Sequence, residues 1–155
     1  MIMDSTLEML DAVALNTGAA GTYLIGSQID TAITGFTSPK NVGLGRPVYL
    51  VVSVDTTATS GGAATLQLIL ASDDSAAIST TTATEHWKSD EIPVAQLTAG
   101  KYFVVPLPMS GTLSTYERFL GILQVTGTAA FTAGKLNAFL TFDPFGWTAQ
   151  ADATN

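Results

Sequence analysis

Apolar residues recur at every second position in several short runs of this chain, and that period limits what it can fold into more than any other feature. Leu136, Ala138, Leu140 and Phe142 alternate with Asn137, Phe139, Thr141 and Asp143, the pattern of a strand buried on one face. The same period aligns Val48, Leu50, Val52 and Val54 in "RPVYLVVSVD", and Ala64, Leu66, Leu68 and Leu70 in "AATLQLILAS". "KYFVVPLP" aligns Phe103, Val105 and Leu107. Its Pro106 and Pro108 have no amide proton to give a ladder, so this run belongs on a sheet edge or ends there. Further strands are expected at residues 23–30 and around residues 85–90.

Turn-forming stretches separate these runs: "TSPKNVGLG", "TATSGG", "SDDSAA", "LTAG", "MSGT" and "TGTAAFTAG". Seven or eight short strands so punctuated predict an all-β, jelly-roll-like antiparallel β-sandwich in one domain. Residues 116–143 read as a hairpin, with Phe131 in its loop either closing the turn or touching a neighbour. Helical periodicity occurs only in "DSTLEMLDAVAL". There Ser5 and Glu8 fit a capping box, and Leu7 and Leu10 could share a helical face. The other reading of this stretch is an extended N-terminal arm, residues 1–20. Residues 144–155, "PFGWTAQADATN", read as a C-terminal tail that lies on something through Phe145 and Trp147.

Composition narrows the function. The 155 residues suffice for a core without staples, and with no cysteine the fold relies on neither disulfides nor thiolate ligands. Charged residues are 12%, well below the roughly 25% usual in soluble domains. Mean hydropathy is +0.33, which argues against disorder and for a surface partly covered in an assembly. The net charge is −7, and the six basic residues are scattered. Nucleic-acid binding needs clustered cations, so none is expected. No apolar run approaches the roughly 18 residues of a spanning helix, and the acidic start "MIMDSTLEML" lacks the basic region of a secretory signal.

Reactive groups are sparse. His86, the single histidine, lies in "EHWKSD" and reads as a polar contact rather than a general base. G-x-S-x-G is absent. Asp73 and Asp74 lack the spacing of a calcium loop and read as turn-capping acids. Gly43 and Gly45, and Gly61 and Gly62, are turn glycines without the parts of a phosphate loop. Asp90 and Glu91, adjacent on a strand, would point to opposite faces and form no acid–base dyad. No enzymatic activity, cofactor or metal is expected. Trp87, Trp147, Tyr23, Tyr49, Tyr102 and Tyr116 keep open an alternative: a carbohydrate-binding or adhesion β-sandwich module.

In order along the chain, "GRPVYLVVSVD", "LQLILASDDSA", "IPVAQLTAGKYFVVPLP" and "YERFLGILQVTGTAAFTAGKLNAFLTFD" resemble the capsid cement (decoration) proteins of tailed bacteriophages, of the Bordetella phage type. The resemblance covers residues 45–143 and the "MIMD" opening, and matches "AISTTTATEHWKSDE" and the C-terminal tail poorly. It implies a jelly roll on the outer capsid surface, stapling neighbouring major capsid proteins noncovalently. It implies a homodimer too, although a trimer fits the same residues. On that view the ends reach the partner, through Met1, Ile2, Met3, Leu7, Leu10, Phe145 and Trp147.

Overall fold

The computed structural model describes residues 5–31, 47–109 and 115–144. They form nine strands: β1 (Glu8–Ala14), β2 (Gly21–Asp30), β3 (Tyr49–Ser60), β4 (Thr65–Asp73), β5 (Thr84–Lys88), β6 (Ile92–Pro93), β7 (Tyr102–Pro106), β8 (Phe119–Gly127) and β9 (Phe131–Thr141). Two 3-10 turns, Ser5–Leu7 and Val94–Gln96, are the only helical elements among the described residues. One sheet runs β1-β9-β3-β7 and the other β2-β8-β4-β5, with β6 added to β4. β1 pairs with β9, β2 with β8, β3 with β7 and β4 with β5, all antiparallel. That nesting is a long hairpin rolled into two facing sheets, the jelly-roll sandwich the strand pattern predicts.

The period-2 runs build the interior. Leu50, Val52 and Val54 of β3, Leu66, Leu68 and Leu70 of β4, and Leu136, Ala138 and Leu140 of β9 meet in one buried cluster, and Val48, Phe103 and Val105 pack against it. β7, with Pro106 at its end, is an edge strand as expected, because proline leaves no amide for a further ladder.

Four expectations are corrected. The capping-box helix is absent: residues 5–7 make a single 3-10 turn, and Glu8–Ala14 is a strand on the edge of the first sheet. Residues 8–14 are extended, as the other reading has it, and form a paired strand. Pairing with β9, through Leu10 opposite Ala138, outweighs the weak local helical signal. Residues 116–143 are not a hairpin, since β8 and β9 lie in different sheets. The link is short: Thr128 takes a left-handed φ of 65° and the chain crosses to the opposite sheet by Phe131. Phe131 is therefore neither turn nor contact residue but a core residue, 1% exposed. Phe142 departs the other way. β9 ends at Thr141, so Phe142 escapes the alternation and is 56% exposed.

Two polar details hold the crossings in place. Gln124, fully buried, donates through Nε2 to the Asn16 carbonyl and the Thr126 hydroxyl, and its Oε1 accepts the Asn16 amide. These bonds fix the β1–β2 connection to β8, and a buried amide so satisfied incurs little desolvation penalty. Gly134 sits where β3 bulges against β9, and its carbonyl accepts the Leu15 amide at 2.9 Å. Its φ is +136°, and an added Cβ would lie 2.8 Å from Leu15 Cδ1 and 2.9 Å from Ala58 Cα. Gly134→Ala is expected to lower unfolding free energy by about 3 kcal/mol, from backbone strain and overpacking together. Chemical denaturation checks this, and wild-type stability in the variant would contradict the assignment.

Candidate contact surface

The residues expected to reach a partner divide in the structure. Leu10 is fully buried between the sheets of its own chain, because β1 turns it inward opposite Ala138; it has no surface left to offer. Leu7 is half-buried against the same core. Met1, Ile2, Met3, Phe145 and Trp147 lie outside the described residues.

Other apolar side chains face outward. Met109 is 60% exposed, Phe142 56% and Tyr102 53%. Tyr49 pairs with both Thr141 and Pro106, so the segments carrying Phe142 and Met109 leave the same end of the first sheet. Tyr102 stands at the other end of β7, opposite Ser53. The signal for Phe142 was present in the sequence: Asp143-Pro144 stops a strand, so the last alternating residue falls beyond it.

The outward face of the second sheet carries its own apolar cluster. Ile69, Ala71 and Leu123 are buried there under Ile78, with Leu24, Ala83, Phe119 and Val125 packed around them. Ile78 comes from the β4–β5 loop, which Asp73 shapes: its carboxylate accepts the Ser75 amide at 3.0 Å and the Ser79 amide at 2.9 Å. Those bonds, the one from Ser79 foremost, hold the Asp73 carboxyl below its ordinary range. Asp73 is thus a turn-capping acid, as the sequence suggests.

His86 is a polar contact too, in a closed setting. Its Nε2 lies 2.7 Å from Ser72 Oγ, and its ring stacks on Tyr116 at 3.8 Å. Ser72 is 0% exposed and its oxygen also accepts the Glu117 amide at 3.0 Å, which leaves a substrate no approach to the hydroxyl. The Tyr116 hydroxyl donates to the Pro108 carbonyl at 2.8 Å, and burial pushes its pKa up to about 12. The aromatic set is largely committed to packing. Trp87 lies against the core with Phe103 at 6.0 Å, Tyr116 is buried, and the Tyr23 hydroxyl donates to the Ala19 carbonyl.

Charge adds little chemistry. Arg118 makes a two-pronged ion pair with Asp30 at 2.8 and 2.9 Å and lies 4.8 Å from the Phe119 ring centre. Among the described residues no group of three or more His, Cys, Asp or Glu could hold a metal ion, and no helix is long and apolar enough to cross a membrane.

Comparison with known families finds a match over residues 10–140 to the family described as Bbp16. No curated protein matches the chain.

The seat of Ile78 yields a test. A Cβ on Gly121 would lie 2.7 Å from Ile78 Cδ1, so the larger side chain of Gly121→Val is expected to displace Ile78 from its seat and loosen the loop. The expected loss is about 2 kcal/mol, with faster amide exchange confined to residues 74–83. An unchanged exchange pattern would show that Ile78 does not hold the loop.

Proposed function

The chain belongs to the Bbp16 family, a Bordetella phage family whose model spans most of its length, and from that premise we propose that it is a capsid cement. Membership makes it a phage structural protein and a component of the virion. The proposed role is finer: it sits on the outer capsid surface and staples neighbouring major capsid proteins without covalent chemistry.

The observation that carries this reading is the exposure of Met109 and Phe142 at one end of a sandwich whose interior its own side chains fill. Such a molecule offers outward apolar surface for docking. Two large apolar side chains on neighbouring segments suit a contact of modest strength, and repetition over many copies makes modest contacts strong in sum. A rigid sandwich also keeps the ordering cost of docking low. Phe145 and Trp147 lie three and five positions after Phe142 in sequence, and the proposed contact includes them together with Met1, Ile2 and Met3. Self-association into a dimer is part of the proposal.

Capsids stripped of this protein supply the test. Met109→Asp with Phe142→Asp should weaken rebinding by roughly 10- to 100-fold while the isolated fold stays intact, as expected for loss of two interface anchors. Wild-type rebinding by that variant would remove Met109 and Phe142 from the contact. The net charge of −7 predicts steering toward a basic rim, so raising salt should slow association more than it speeds release.

A further inference from the structure

We propose that His86 is an acid-sensitive latch joining β5 to the segment that leads into β8. The geometry defines it. Ser72 of β4, His86 of β5, and Tyr116 and Glu117 ahead of β8 meet at one point, although they come from three separate stretches of chain. Thr84, also on β5, adds a second tie by donating to Glu117 Oε1 at 3.1 Å.

Proton positions follow from counting partners. Ser72 Oγ accepts the Glu117 amide, and its other partner is His86 Nε2. The hydroxyl hydrogen therefore goes to Nε2, which must be the unprotonated nitrogen of a neutral ring. Charging the ring places a second hydrogen between the two atoms. Ser72, with no exposed surface, then has no acceptor for its own. The closed arrangement thus suits the neutral ring and opposes the charged one. Burial acts in the same direction, lowering the histidine to about 4 from an ordinary 6.5.

Other titratable and charged groups stand on the surrounding elements: Glu85 and Lys88 on β5, Asp73 on β4, and Tyr116, Glu117 and Arg118 ahead of and entering β8. Asp73 is engaged by the Ser75 and Ser79 amides, Arg118 by Asp30, and Glu117 Oε1 by Thr84. None of these bonds supplies an acceptor for the Ser72 hydrogen.

The closed state binds fewer protons than the open state, so opening is favoured as pH falls from about 6.5 to about 4 and gains nothing further below that. Over that window the opening equilibrium should rise by up to roughly 300-fold. The latch also reaches the exposed end of the first sheet, because Tyr116, stacked on His86, holds the Pro108 carbonyl next to Met109. The molecule thus carries a device that loosens that end in acid before the sandwich itself unfolds.

The chain's single histidine makes the test unambiguous. NMR of the wild-type imidazole should show titration near pH 4 in the folded state, and titration near 6.5 would overturn the proposal. Amide exchange corrected for its intrinsic pH dependence should show residues 84–88 and 115–118 opening between pH 6.5 and 4 while β3 and β9 remain protected. His86→Gln, which cannot take the charge, should flatten that response. An unchanged response in the variant, or simultaneous opening of all strands in the wild type, would overturn the proposal as well. If His86→Gln does not fold, the wild-type titration and the order of opening decide alone.

Discussion

Burial between two facing sheets is the interaction on which everything else in this protein depends, since the chain has little else to hold it. It lacks cysteine, charged residues are 12% of it, and the Arg118–Asp30 pair lies at the surface, where solvent screening leaves such pairs little to contribute. The apolar faces of β3, β4 and β9 must therefore meet across the interior, and every strand pairing serves to present them. The nesting of β1 with β9 and β2 with β8 brings together residues 89 to 131 positions apart. Neither sheet is complete until both ends of the chain have arrived.

That dependence explains which parts of the fold were legible in sequence. β3, β4 and β9 carry an apolar residue at every second position because one face of each meets the core, and that period stays readable although Val51, Ile69 and Phe139 on their other faces are buried as well. β1 does not: Met9 and Leu10 are both buried, register shifts flank Leu10, and Ala12 takes a φ of 45°. A bulged edge strand loses its period, and the Ser5–Glu8 spacing then resembles a helix start. Phe131 reads as a loop residue because small residues surround it. Its burial depends on a crossing to the opposite sheet, which is decided by distant pairing rather than by neighbours.

The candidate surface was less legible than the fold. An arm-like N-terminus points Leu10 to a partner, yet it lies inward because β1 joins the sheet edge; the alternation points Phe142 inward, yet it lies outward because β9 ends one residue earlier. The role of His86 as a polar contact could be read from its isolation, but its partner Ser72 sits 14 positions away on another strand and nothing local announces it. The capping role of Asp73 was visible because it is local chemistry, made within six residues. Interactions confined to one turn leave a trace in sequence, whereas those built by pairing leave only a composition.

One consequence of the β1–β9 pairing concerns force. The two strands run antiparallel with Glu8 beside Phe139 and Ala14 beside Lys135, so Glu8 and Thr141 mark the same end of the pair. Traction between those two residues would load the backbone bonds one rung at a time, and a ladder opened in sequence yields at far lower tension than one sheared all at once. Pressure borne on the broad faces is shared instead by every strand across the interior. A tether at Glu8 or Thr141 is a peeling tab, and the faces are where this molecule is mechanically strong.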